Sequence, residues 1–206
     1  MKLYAATGAC GLHVQIVARE AKVAFELVLV DLQTKRTADG HDYNEISAKD
    51  YIPALQLDDG TVLSEGAVIT QWLAAQAPNA GLLPAYGSMD HYRALEWLHY
   101  IGTEIHKSFS SLFKPSTEDA KIEARADLTR RLQLVEARLQ EADYLVGDRF
   151  TIVDAYLFNV GSWARPAGLS LTSFPRLQAY LSRIAQRPSV RASMMAEGLI
   201  KLAKAA

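Results

Sequence analysis

Apolar and polar positions change their rhythm several times in the first 77 residues and settle into one period afterwards. Lys2–Ala6 is a short apolar run closed by Thr7-Gly8, which predicts a strand ending in a turn. Within Leu12–Lys22, Leu12, Ile16, Val17 and Ala21 recur at helical spacing. Phe25–Asp31 is rich in Val and Leu and predicts a strand buried on both faces. Thr34–Lys49 is polar and holds Gly40, so it predicts a loop with at most one short helix. Ala54–Asp58 and Thr61–Leu63 flank Asp59-Gly60, a dipeptide that tolerates the positive φ angles of a tight hairpin. Ser64-Glu65-Gly66 then opens a helix carrying Val68, Ile69, Trp72 and Leu73. The order β-α-β-α-β-β-α predicts a small mixed sheet with helices on its faces.

Pro78-Asn79-Ala80-Gly81 and Pro84 break the pattern, and residues 78–86 are expected to link residues 1–77 to a second unit of residues 87–206. No strand pattern follows. Tyr92, Leu95, Leu98, Ile101, Ile105, Phe109 and Leu112 recur three or four apart and predict one side of a long helix, ended by Pro115. Leu128, Leu132, Val135 and Leu139 mark the next helix, whose other face carries Glu123, Arg130, Arg131, Arg138 and Glu141 as a solvated mixed-charge surface. Gly147 stops that unit. Thr151-Ile152-Val153-Asp154 has the form of a capping box, with a structural role. Helices to about Arg165, over Phe174–Arg187, and after Pro188 complete an all-α second unit.

Composition narrows the possibilities. The chain has 206 residues, 50% of them hydrophobic, which is enough for two units with real cores. With 22 basic and 23 acidic residues, no excess of charge calls for a polyanion, and no basic stripe with interleaved aromatics points to nucleic acid. No apolar stretch approaches the length of a membrane span, and the opening residues are too soon interrupted by Arg19 and Glu20 to read as a secretory signal. One cysteine excludes an intrachain disulfide framework and fits a reducing compartment, so a soluble cytoplasmic protein is expected.

That cysteine, Cys10, falls at the turn between the first strand and the first helix. Unpaired N–H groups and the positive end of the helix dipole favour a thiolate there; the competing reading of Cys10 is that of most lone cysteines, a small buried hydrophobe without chemistry. Further stretches add to it. Tyr51-Ile52-Pro53-Ala54-Leu55 resembles the segment that carries a cis-proline in the glutathione transferase family. Asp58 to Gly66 resembles that family's hairpin and following helix start, and Gly147 to Tyr156 its C-terminal folding motif. His106-Lys107, after Trp97-Leu98, resembles a pair seen in the bacterial β-class, and Cys10 in place of a catalytic Ser or Tyr points to the same class. The resemblance covers almost the whole chain. It implies the glutathione transferase fold: an α/β thioredoxin-like N-terminal domain that binds glutathione, followed by an all-α C-terminal domain.

Glutathione has a γ-glutamyl head, a central thiol and a glycyl carboxylate. The resemblance implies a site built from Ala9, Cys10, Lys35, Ile52, Pro53, Glu65, Gly66, His99, His106 and Lys107. Free N–H groups at the helix start of Glu65-Gly66 can hold a carboxylate, Gly66 admits close backbone approach, and Glu65 can pair with the ligand ammonium; the competing role for Ser64-Glu65 is a helix cap. Pro53, if cis, would present the backbone of Ile52 to an extended peptide; a trans turn proline is the alternative. Lys35 is placed near the glycyl carboxylate by the resemblance, and otherwise reads as an exposed lysine. His106 and Lys107, with His99 nearby, would form a basic wall facing the sulfur and stabilising a thiolate, although His106 beside an apolar stripe also reads as a half-buried core histidine. These groups lack metal-ligand spacing, so no metal is expected. Tyr4, inside the first strand, reads as core or as a support behind the thiol site.

The chain departs from the β-class pattern at Gly11, where a Ser commonly follows the Cys, at Tyr51, where Gln is frequent, and at His99, where Asn is common. Three functions stay open at this point. One is transfer of the glutathione thiolate to small hydrophobic electrophiles between the two domains, with Phe109, Phe113 and Trp163 as candidate lining; reductive dehalogenation or isomerisation would be a variant of it. The second is thiol–disulfide exchange through a Cys10 mixed disulfide, and the third is non-catalytic binding of hydrophobic ligands. A symmetric homodimer is expected from the resemblance.

Overall fold

The computed structural model describes residues 1–114 and 116–201. The strands are β1 (Lys2–Ala5), β2 (Glu26–Asp31), β3 (Arg36–Thr37), β4 (Ala54–Gln56) and β5 (Val62–Ser64). The helices of the first half are α1 (Gly11–Glu20) and α2 (Gly66–Gln76). They are followed by α3 (Met89–Tyr100), α4 (Lys107–Phe113), α5 (Glu118–Glu141), α6 (Ile152–Gly161), α7 (Pro175–Ile184) and α8 (Pro188–Ala196). The chain divides into two compact units, Met1–Leu82 with Arg187–Ala206, and Leu83–Gln186.

In the first unit the sheet order is β3-β2-β1-β4-β5. β1 and β2 are parallel, and the other neighbours are antiparallel. Side chains alternate across β1, so Leu3 and Ala5 face α1 while Tyr4 packs on the opposite face with Val28, Val30, Tyr43 and Ala54. Asp59-Gly60 makes the expected β4–β5 turn, with Gly60 at φ 86°. The polar stretch Thr34–Lys49 holds one 3-10 turn, Tyr43–Glu45, where Asp42 caps Asn44 N–H. It also holds the two-residue strand β3, too short for any periodicity to announce.

The last helix, α8, belongs to the first unit rather than to an all-α unit running to the end of the chain. It is fastened to α1: Arg187 pairs with Glu20 (Nε–Oε1 2.9 Å), Ser189 Oγ donates to the same carboxylate, and Arg19 Nε donates to Ser193 Oγ at 3.2 Å. Two hydrogen-bonded cross-links of charged groups outweigh sequence adjacency to α7 in deciding where α8 packs.

The second unit is helical. Its long first helix runs from Met89 to Phe113, but a π turn over Ile101–His106 interrupts it between α3 and α4. The buried stripe is His91, Ala94, Leu98, Ile101, Ile105, Phe109 and Leu112. Tyr92, expected on that stripe, is 50% exposed, because at the helix start the inward position belongs to its neighbour His91, whose Nδ1 lies 3.1 Å from Pro84 O. Pro115 lies outside the described residues. The α5 stripe Leu128, Leu132, Val135 and Leu139 is buried as expected. On its charged face Glu123, Arg130 and Glu141 are exposed, whereas Arg131 is half-buried and paired with Glu104 (3.0 Å). Thr151 and Asp154 form the expected capping box at the start of α6, and Gly147 takes a left-handed φ of 64°.

Candidate active site

Cys10 is the residue immediately before α1, at the end of a turn closed by Ala9 N–H donating to Ala6 O (3.1 Å). It does not cap the helix with its sulfur. Instead Sγ–H donates to Ile52 O at 3.4 Å. The Ile52–Pro53 peptide bond is cis, and the loop before it is pinned by Tyr43 Oη–H donating to Tyr51 O at 2.7 Å. Cys10, Ile52 and Pro53 therefore form one contiguous patch.

The thiol in this patch does not behave as its place at a helix start suggested. Burial pushes the Cys10 thiol up to about 11, the negative charges of Glu197 and Glu65 add to the rise, and only its own backbone N–H works against it. The dipole of a ten-residue helix is too weak to offset the loss of water around the sulfur. With its value at about 11, Cys10 is a thiol and a hydrogen-bond donor at neutral pH, a state the sequence left open.

Glu65 sits at φ 67°, ψ 109°, a conformation that costs a non-glycine residue about 1–3 kcal/mol. Its side chain makes no cap hydrogen bond. The carboxylate pairs instead with Lys49 Nζ at 2.9 Å on the surface, while its carbonyl accepts from Val68 N–H and Ile69 N–H. The first N–H groups of α2 thus point out beside a half-neutralised carboxylate. Gly66 is required for a reason other than ligand access. A Cβ there would stand 2.5 Å from the buried ring of His13, a residue the sequence pattern passed over.

Lys35 stands at φ 56° and is already engaged, with Nζ 3.0 Å from Asp50 Oδ2 and donating to Asp50 O at 3.2 Å. Asp50 Oδ1 is buried with no hydrogen-bond partner. The ammonium therefore meets any carboxylate ligand in competition with Asp50.

The remaining candidates lie in the helical unit. The π turn ends on His106, and its Nδ1 lies 2.7 Å from Tyr156 Oη. The imidazole stands edge-on to Trp163 at 4.9 Å between centroids. Trp163, Phe109 and Phe113 complete a cluster, with Phe109 and Phe113 stacked at 6.4 Å and Phe109 edge-on to Trp163 at 5.8 Å. Phe109 and Trp163 are buried and Phe113 is half exposed. Burial, with the neighbouring Lys107 charge, pulls His106 down from 6.5 to about 4. His106 is thus neutral at neutral pH and adds no charge to a basic wall. Lys107 is exposed, and His99 is exposed with Nδ1 2.8 Å from Leu95 O of its own helix. Tyr156 was legible only as part of the folding motif; its role as the partner of His106 depends on the π turn.

A depressed His106 gives a measurable acid response. The folded state holds the neutral imidazole, so its contribution to stability is complete above 6.5 and is lost as pH falls from 6.5 through about 4. The loss amounts to about 3 kcal/mol at most. Melting temperatures of wild type and His106→Gln should converge on acidification over this window, and parallel curves would contradict the depressed value.

Comparison with known proteins agrees with this architecture. The family model for the glutathione S-transferase N-terminal domain matches residues 8–76, and the model for the C-terminal domain matches residues 100–188. The chain belongs to the glutathione S-transferase family. Glutathione S-transferase GstA of Escherichia coli O157:H7 is 45% identical over 97% of this chain and 100% of its own length. The crystal structure of a sphingomonad glutathione S-transferase complexed with glutathione superposes with a TM-score of 0.93 at 39% identity, covering 97% of this chain and 100% of that one. A beta-class enzyme of Sphingomonas chungbukensis superposes with a TM-score of 0.94 at 38% identity, over 97% and 100% of the two chains. The thioredoxin-like glutathione transferase fold and β-class likeness expected from the sequence are thus shown. No described helix is long and apolar enough to cross a membrane.

Proposed function

We propose that this glutathione S-transferase binds glutathione on its first unit through Cys10, Ala9, the Ile52 backbone beside Pro53, Lys35, and the Glu65-Gly66 helix start, and transfers the thiolate to small hydrophobic electrophiles. The observation that carries the reading is the Cys10 Sγ–H to Ile52 O hydrogen bond next to the strained Glu65. One patch then offers a sulfur-directed donor, a peptide-like edge and an ammonium partner. The γ-glutamyl carboxylate is taken by the N–H groups at the start of α2 and its ammonium by the Glu65 carboxylate, which exchanges Lys49 for the ligand. Lys35 takes the glycyl carboxylate in exchange for Asp50.

Only the glutathione thiolate attacks. Cys10, protonated, turns its one S–H from Ile52 O to that sulfur and serves as a donor rather than as the nucleophile. Within the helical unit, Lys107 and His99 are exposed basic side chains, and His106, held at about 4, is too weak a base to take a thiol proton. The cluster of Phe109, Phe113 and Trp163 offers the apolar surface an electrophile needs. No step calls for a metal. The same reading places the protein in the cytoplasm as a two-fold homodimer.

Conjugation of glutathione to a dinitrohalobenzene, measured for wild type and Cys10→Ala, tests the role of the thiol. Loss of one weak donor to an anionic sulfur costs about 1–2 kcal/mol, so kcat/KM in Cys10→Ala should fall roughly tenfold and not vanish. Abolished conjugation, with a glutathione adduct on Cys10 in wild type by mass spectrometry, would favour the thiol–disulfide function instead. Cys10 stands against that function, since a thiol held at about 11 is a poor attacking group at neutral pH.

A further inference from the structure

Lys35 and Asp50 meet in the turn-rich stretch between β2 and β4, and both hold left-handed backbone, at φ 56° and 55°. The segment around Tyr43 fixes them: Tyr43 N–H donates to Lys35 O at 2.8 Å, Ser47 N–H to Tyr43 O at 3.0 Å, and Asp50 N–H to Ser47 O at 2.9 Å. One residue then holds the ammonium twice, since Lys35 Nζ donates to Asp50 O at 3.2 Å and pairs with Asp50 Oδ2 at 3.0 Å. Asp50 lies two residues before Ile52, so the pair stands beside one end of the Ile52–Pro53 edge. The neighbouring Lys49 is paired with Glu65 at 2.9 Å.

A glycine at position 50 would take φ 55° without strain, so the turn itself does not call for an aspartate. What the carboxylate adds is a partner for Lys35, and that partner is hard to displace. Asp50 Oδ1 is buried with no hydrogen-bond partner, so the ammonium at Oδ2 is what compensates a half-withdrawn carboxylate. Drawing the ammonium away leaves one oxygen buried and unpaired and the other without its cation. An ammonium has three donors, and Asp50 takes two of them. The third suits a single neutral acceptor, such as an amide or ester carbonyl. A carboxylate in that place either displaces Asp50 or sets two anions on one cation.

We propose that Asp50 is a specificity-determining residue at the end of the site served by Lys35: it cancels most of the gain from a charged tail, so the site takes γ-glutamylcysteinyl peptides that end in an amide or ester about as readily as glutathione. The inference rests on the reading that Lys35 meets the glycyl end of the ligand, and it narrows the substrate class of that site to thiol peptides whose tail need not be anionic.

Calorimetric titration with glutathione and with its C-terminal glycinamide, under reducing conditions and without an electrophile, reads this end of the site alone. The full-length wild type should bind the two ligands within about twofold of each other. Asp50→Asn tolerates the same backbone and removes only the charge, whereas Asp50→Gly also relieves the backbone. Both should bind glutathione about three- to fivefold tighter and leave the amide unchanged. A wild type that favours glutathione over the amide by about tenfold or more would overturn the proposal, as would an Asp50→Asn protein, folded by thermal melting, that binds glutathione no tighter than wild type. Tightening in Asp50→Gly alone would assign the effect to the backbone and overturn the role of the charge. Lys35→Ala in the Asp50→Gly background separates the two readings. Unchanged glutathione binding there would remove Lys35 from the site, and the proposal with it. A loss of about tenfold there, beside an Asp50→Gly protein that binds as wild type does, would keep Lys35 in the site and overturn the proposal alone.

Discussion

Asp154→Ala should lower the melting temperature of the protein by about 10 °C, the largest loss expected from any single side chain in the helical unit. Asp154 is fully buried, and every contact it makes is with a donor. Oδ1 accepts from Leu145 N–H at 3.2 Å and from Tyr180 Oη–H at 2.7 Å. Oδ2 accepts from Thr151 N–H at 2.8 Å and Thr151 Oγ1–H at 3.0 Å. The side chain thus joins the α5–α6 loop, the residue that caps α6 and the middle of α7. Truncation leaves four buried donors without an acceptor, at about 1–3 kcal/mol each when counted singly and roughly 3–5 kcal/mol together, since the four relax as a group. Asp154→Asn sharpens the test. It keeps the volume but turns an NH2 toward two of those donors, so it too should be destabilised by most of that amount. An Asn variant as stable as wild type would mean that volume, not acceptor chemistry, is what the position requires. Thermal unfolding of the two variants beside wild type is sufficient.

The capping role of Asp154 was legible because Thr151 and Asp154 are three residues apart; its bond to Tyr180 was not, because no local spacing connects α6 to α7. The same divide runs through the molecule. β1, α1, β2, the Asp59-Gly60 hairpin and α2 follow from short-range patterns, and the sheet assembles from them as expected. The π turn does not follow, because apolar positions three and four apart read the same whether the backbone bonds are of α or π type. With it went the contact of His106 with Tyr156. The protonation states of the site stayed open in the sequence because they depend on burial. A helix start favours a thiolate in water, yet the sulfur of Cys10 is largely withdrawn from water and the negative charges of Glu65 and Glu197 raise it further. His106 was open between a member of a basic wall and a half-buried histidine, and burial with the Lys107 charge holds it neutral. Residue types at the site were legible; their protonation states depended on neighbours that only the fold supplies.

Gly11 is the departure from the β-class pattern with the clearest physical cause. A serine there would place a hydroxyl beside the sulfur, which makes Gly11→Ser an inviting repair. Space forbids it: a Cβ at Gly11 would stand 2.5 Å from Ala5 Cβ, 3.3 Å from Ala5 Cα and 3.8 Å from Pro53 Cβ. The obstructing atoms belong to β1, the central strand of the sheet, and not to the far end of a flexible side chain. The strand cannot withdraw without disturbing its ladders to β2 and β4. Gly11→Ser must therefore push α1 away from the sheet, and Cys10 with it, at a cost of about 2–3 kcal/mol, so that the melting temperature should fall by roughly 5–10 °C. The displaced sulfur would lose its hydrogen bond to Ile52 O, and the glutathione KM should rise rather than fall. Ala5→Gly removes the nearest obstructing atom. The double variant Ala5→Gly/Gly11→Ser should regain part of the lost stability even though Ala5→Gly alone, a glycine in a buried strand, is destabilising. That positive coupling identifies the collision as the cause. Additive losses, or a Gly11→Ser protein as stable as wild type with tighter glutathione binding, would show that α1 can yield at its first residue and that the glycine is not held there by β1.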